Sequence, residues 1–295
     1  MSASRQRMLD AFNYSRPDRI PVVYHPSPAG LHVHGERLRQ LFLAFPPDNP
    51  VNFDSLPAPP EEAVGKDGEY RERRTDAWGT TWEYLIFGIQ GHAVGYPVED
   101  WEEAAGYDFP PVPRPDPAAV ARLRREYLVF GGAVSLFERL CAIRPMDEVL
   151  MGLALEDPGL LAFLDRLTDY WECCVARLLE AGTDVVMFAD DWGTQAGPVV
   201  APALFHKHFR PRYERLMAPV RKAGRRVMFH CCGSLGAILG ELFDLEIDGI
   251  WPQIRCFEQV PGIYESCRDR QISLYIHPDR QRLIPKGTPE EIDRA

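Results

Sequence analysis

The sequence predicts an α/β fold of the TIM (β/α)8-barrel type, and three observations lead there. From Asp157 onward, short apolar runs alternate with stretches of helical apolar spacing, the pattern of a parallel sheet built from βα units. No G-x-G-x-x-G or P-loop follows any of these runs, so a dinucleotide-binding sheet has no support. Polar residues gather where the runs end: Asp190 and Asp191, then His230 and Cys232, then His277 and Asp279. Strand carboxyl ends form the catalytic face of such a barrel. A chain of 295 residues suits one barrel, taken here as a single domain over 1–295.

The elements follow in order. Ser4 to Tyr14 reads as a helix with Met8, Leu9 and Phe12 on one face. Ile20 to Tyr24 reads as a first strand, ending in His25 and Pro26, and Val51 to Phe53 as a short second one. Between them Leu31 to Phe45 has helical spacing, stopped by P-P-D-N-P. Residues 70–117 form an aromatic excursion, a hairpin around Trp78, Trp82, Tyr84 and Phe87 followed by a proline-rich crossing. Val120 to Arg125 reads as a helix and Tyr127 to Val134 as a strand.

Asp157-Pro158 opens a long helix with an N-cap acid and proline in the first turn, and Gly182 ends it. Asp184 to Ala189 is an apolar strand. Pro202 opens a helix carrying Phe205, Phe209, Tyr213, Leu216 and Val220, with a kink expected at Pro211. Arg226 to His230, Asp248 to Trp251 and Ile272 to Ile276 are further strands, each followed or preceded by a helical stretch.

The sharpest chemical signal is R-R-V-M-F-H-C-C-G, residues 225–233. Successive strand side chains point to opposite faces. His230 and Cys232 therefore share one face, while Val227, Phe229 and Cys231 form an apolar back suited to helices. An imidazole and a thiolate side by side make two thirds of a catalytic zinc site. A buried cysteine pair beside a core histidine is the bland alternative. Position at a strand's carboxyl end favours the site.

Composition limits the partners. A formal net charge of −10 argues against non-specific nucleic-acid binding. No apolar run approaches the ~20 residues of a membrane span, and Met1 to Asp10 lacks a signal-peptide core. Seven cysteines, with two adjacent pairs, do not resemble a disulfide framework. A cytoplasmic protein fits best.

Four stretches carry a resemblance: D-D-W-G-T-Q (190–195), A-P-A-L-F-H-K-H-F-R-P-R-Y (201–213), H-C-C-G (230–233) and D-R-Q-R-L-I-P-K-G-T-P-E-E (279–291). With I-P-V-V near Ile20 they resemble the uroporphyrinogen decarboxylase superfamily. The resemblance implies a (β/α)8 barrel and one of two chemistries. One branch decarboxylates uroporphyrinogen without a metal, gripping carboxylates with an arginine-rich segment after the first strand. Here that place reads Y-H-P-S-P-A-G-L-H-V-H, with no arginine before Arg37. The other branch, corrinoid methyltransferases, holds zinc with H-x-C and a later cysteine. His230 and Cys232 fall on its first two ligands; Cys256 and Cys267 are the only later cysteines.

The resemblance thus implies zinc-dependent methyl transfer between a small methyl donor, a corrinoid or a thiol. Metal-free decarboxylation of a porphyrinogen or related acid is the alternative, and a non-catalytic tetrapyrrole- or corrinoid-binding barrel the second. Asp191, Asp190 and His277 are the expected catalytic residues, with Asp191 on the family's active-site position. Trp192, Gln195, Asp279, Gln281 and Tyr84 are the expected substrate contacts. A corrinoid protein and a second copy of the chain are candidate partners. Strands counted near residues 20, 51, 127, 184, 226, 248 and 272 number seven. An eighth unit would need roughly 50 more residues, so a gap is expected between the seventh strand and the first. Thr288-Pro289-Glu290-Glu291 reads as a capping box opening a last helix.

Overall fold

The computed structural model describes residues 2–294. Helix α1 (Ala3–Phe12) is capped by Ser2, whose side chain accepts from Arg5 N–H. Helix α2 (Pro28–Ala44) starts at Ser27 with proline in its first turn and bends at Gly35, where φ is 53°. The excursion is a separate antiparallel sheet of three strands rather than one hairpin: β1 (Glu72–Thr75), β2 (Thr81–Tyr84) and β3 (His92–Gly95).

Helix α3 (Pro117–Leu123) leads into β4 (Phe130–Val134). Two helices follow that the apolar spacing did not disclose, α4 (Phe137–Ile143) and α5 (Met146–Leu155). The long helix α6 (Pro158–Ala181) begins on Asp157, which accepts the N–H groups of Gly159 and Leu160, and ends on Gly182 at φ 87°. Then come β5 (Val185–Ala189), the single turn α7 (Pro202–Leu204) and α8 (Arg210–Lys222). The irregularity between α7 and α8 is a π-turn over Phe205–Phe209, not a kink at Pro211. Pro211 sits in α8's first turn, where its missing N–H costs nothing.

The remaining elements are β6 (Arg226–Cys231), α9 (Ile238–Phe243), β7 (Gly249–Pro252), α10 (Ile254–Phe257), α11 (Ile263–Asp269), β8 (Ser273–Leu274), α12 (Leu283–Lys286) and α13 (Pro289–Arg294). The capping box at α13 forms as read: Glu291 Oε2 accepts Thr288 N–H at 2.8 Å and Thr288 Oγ1 accepts Glu291 N–H at 3.3 Å.

Strands β4 to β8 make one parallel sheet in sequence order. Five of the seven expected strands are therefore present. Ile20–Tyr24 and Val51–Phe53 are not strands. Pro21 removes one donor from the first segment. Its neighbours are bonded by side chains instead: Val22 N–H donates to Asp48 and Tyr24 N–H to Asn49, each at 2.9 Å. Asp48 is buried and also takes Arg7 and Arg19. Among the described residues the parallel sheet does not close into a barrel.

The sheet has two faces of different use. Val227, Phe229 and Cys231 are fully buried against the helix layer, packed with Leu164, Leu167, Tyr213 and Leu216. Full burial of one such side chain stabilises by roughly 1.5–3 kcal/mol. The opposite face carries Met228, which packs with Met8, Phe12, Leu128 and Val185. Between that face, α1 and the 20–25 segment lies an apolar cavity of about 750 Å³, bordered by Phe12, Val23, Phe130, Met187, Met228 and Leu274.

Candidate metal centre

The alternation of β5 and β6 decides which polar residues meet. Ala189 pairs with His230 in register. One step further Asp190 turns to the helix side, and two steps further Asp191 returns to the open face beside Cys232. Cys232 N–H donates to Asp191 Oδ1 at 2.7 Å. Cys232 Sγ lies 3.5 Å from His230 Nε2, and that nitrogen lies 3.7 Å from Asp191 Oδ1. One ligand atom from each of the three falls within 4.8 Å of the others. Zinc–ligand bonds of 2.0–2.3 Å in a tetrahedron set ligand atoms roughly 3.3–3.8 Å apart. The imidazole–thiol and imidazole–carboxylate distances match that spacing, and three protein donors leave a fourth position for substrate.

His230 is presented in the tautomer such a site needs. Its Nδ1 lies 3.0 Å from the Trp251 carbonyl, which can only accept, so Nδ1 carries the proton and Nε2 faces the cluster. Burial lowers the His230 pKa, against the opposing pull of Asp191, and so favours the neutral ring. Burial and then Asp191 push the Cys232 thiol up to about 11. A bound cation would reverse that, because a coordinated thiol loses its proton.

Two glycines lock the loops that carry these ligands. A Cβ on Gly233, where φ is +80°, would stand 2.1 Å from Gly193 O. The loops also bridge at Thr194 and Ser234, with Ser234 N–H donating to Thr194 O at 2.7 Å. Ser234 is thus part of this bridge and not the cap of α9, which begins at Ile238.

The other expected residues divide. Asp190 is fully buried and accepts from Ser135 Oγ, Leu136 N–H, Glu138 N–H and the Tyr213 hydroxyl. It ties the start of α4 to β5, a structural role in place of the catalytic one expected. Trp192 is also fully buried, stacked on Phe137 and edge-on to Phe209, so it offers no substrate contact. Tyr84 sits in β2 beneath the Arg74 guanidinium and not in the cleft beside the triad. That cleft, about 430 Å³, does bring Cys232 together with Gln195, His277, Asp279 and Gln281. His277 Nε2 is shielded there without a partner among the described residues. Cys256 and Cys267 are buried and belong to no such cluster among the described residues; the third candidate ligand atom is that of Asp191.

Sequence reasoning missed Glu138. It stands at the start of α4, and burial, with Asp190 and Asp191 nearby, raises its pKa to about 8. Its place just past β4 was the available signal, hidden because α4 was not recognised. It missed Arg255 and Arg280 in the cleft as well.

The family model for uroporphyrinogen decarboxylase (URO-D) matches residues 118–253, from α3 to the end of β7. Over these residues the chain is similar to the uroporphyrinogen decarboxylase family. Asp191, His230 and Cys232 all lie inside the URO-D match. Among solved structures, a methyltransferase from Methanosarcina mazei is similar, with a TM-score of 0.53 and 17% identity over 85% of this chain and 76% of that one. At that identity the likeness speaks for the fold. No curated protein matches the chain. No described helix of the chain is long and apolar enough to cross a membrane.

Proposed function

We propose that this chain is a zinc-dependent methyltransferase that moves a methyl group between a small methyl donor, a corrinoid or a thiol. The observation that carries the reading is the Asp191–His230–Cys232 cluster, with Nε2 3.5 Å from Sγ and 3.7 Å from the carboxylate. Zinc held there would act as a Lewis acid that lowers the pKa of a bound thiol. The chain's residues do the rest. The Trp251 carbonyl fixes the His230 ring. Cys232 N–H holds the Asp191 carboxylate toward the cluster. Gln195, His277 and Gln281 line the approach for substrate.

The test is metal quantification on protein purified without chelators, followed by methyl transfer from methylcobalamin to a small thiol. About one zinc per chain is expected, and none in His230→Ala or Cys232→Ala. Protein that folds, binds no zinc and decarboxylates a porphyrinogen would overturn the reading in favour of the metal-free branch.

A further inference from the structure

The cleft beside the triad has a charge that its own residues do not cancel. It holds Arg255, Arg280 and Asp279 next to Cys232. A second chamber of about 400 Å³ shares Gln195, Arg255 and Gln281 with it and adds Arg282 and Lys286. The two are therefore one groove with four cations and one acid. Asp279 is already committed: it accepts the N–H groups of Gln281 and Arg282 at 2.8 and 3.1 Å and faces Arg255 at 3.5 Å. Among the described residues, Arg280, Arg282 and Lys286 have no ion-pair partner. Other arginines of the same C-terminal half are matched with acids, as in Arg270–Asp244 and Arg226–Asp248.

The charge count at the centre sharpens the point. A divalent metal with Cys232 thiolate, Asp191 carboxylate and neutral His230 sums to zero. Arg255 and Asp279 cancel as well. Three positive charges are left over, in a chain whose formal net charge is −10. Arg280 and Cys232 line the same cleft. Unpaired cations around a partly enclosed groove focus anions into it, and guanidinium forks match phosphate and carboxylate oxygens.

We infer that the substrate of this site carries an anionic oxygen group, held by Arg280, Arg282 and Lys286 while the reacting end of the molecule lies toward Cys232. The orientation rests on the proposed metal reading; the anion site does not. The C-terminal stretch after β8 thus selects for charged substrates, and the cluster provides the chemistry.

Inorganic phosphate is the probe. It is titrated calorimetrically into zinc-free and zinc-loaded protein at constant ionic strength set with chloride. Saturable binding is expected in both, weakened at least tenfold in the Arg280→Gln/Arg282→Gln double variant and unchanged in Arg270→Gln. Circular dichroism confirms that each variant is folded. Acetate in a parallel titration is expected to bind more weakly, because one charge leaves more of the groove uncompensated. Absence of saturable phosphate binding, or equal binding by the double variant, overturns the inference. Protein that takes zinc but no phosphate sinks this inference alone; protein that takes phosphate but no zinc sinks the metal reading alone.

Discussion

Asp190 and Asp191 are neighbours with opposite employment, and substitution separates them. Asp190→Ala strands a hydroxyl pair and two backbone donors in the core, so it should cost about 3–5 kcal/mol by chemical denaturation. Asp191→Ala should leave the melting temperature nearly unchanged and weaken zinc retention in a chelator competition by about tenfold or more. The same split applies to the cysteines. Cys231→Ala empties a fully buried site and removes the acceptor of Trp192 N–H, so a loss of about 1–2 kcal/mol is expected with metal retained. Metal loss in Cys231→Ala with retention in Cys232→Ala would reverse the facing. This facing was legible from R-V-M-F-H-C-C because a period of two leaves no freedom once one residue is placed. The role of Asp190 was not legible, because its partners Ser135, Leu136, Glu138 and Tyr213 lie 23 or more residues away in sequence.

At the scale of elements, buried or half-buried acids anchor the starts of extended segments. Asp184 receives Arg5, Arg124, Arg225 and Val129 N–H just before β5, and Asp48 serves the 20–24 segment in the same way. Burial alone would raise the Asp184 carboxyl, but the bonds from Arg5, Val129 and Arg124 outweigh it and hold its pKa below the usual value. Asp48 is lowered by the same balance, with Val22 N–H and Arg7 as the main donors. A folded-state pKa below the unfolded one stabilises the fold above the unfolded value, about 3.9, and the contribution is lost as pH falls through the folded value. Acid titration followed by circular dichroism should therefore show unfolding that sets in near pH 4. Asp184→Asn should be less stable than wild type at pH 7 and lose less further stability on acidification. An equal acid loss in both would show that other groups dominate. The long helix α6 and strands β5 to β7 were readable because cap, apolar stripe and glycine stop agree. The segments near 20 and 51 misled because alternating apolar residues signal an extended chain, while side-chain bonds from Asp48 and Asn49 replace the ladder.

The whole molecule has a parallel sheet that is firm in its middle and thin at one side. Pairing covers five residue pairs between β5 and β6 but two between β7 and β8. Amide exchange should accordingly be slowest in β5 and β6 and fast in β8. The apolar cavity of about 750 Å³ lies where a closed barrel would be filled by layers of side chains. Met187→Phe, pointing into it, should raise stability by about 0.5–2 kcal/mol in a thermal melt; a loss would mean that the space is not available to the larger ring. The barrel class could be inferred from βα repetition, whereas closure depends on pairing between distant strands, to which local periodicity is blind.

The contact between Gly193 and Gly233 also sets how this protein can change. With a Cβ at Gly233 only 2.1 Å from the opposing carbonyl, the two ligand-bearing loops share one mould. A lengthened or bulkier residue in either loop is tolerated only with a matching retreat in the other. Descendants or redesigns of the chain should therefore inherit D-W-G-T and H-C-C-G as a single heritable block, while the cationic groove, built from a later stretch, is free to diversify and retarget the same chemistry.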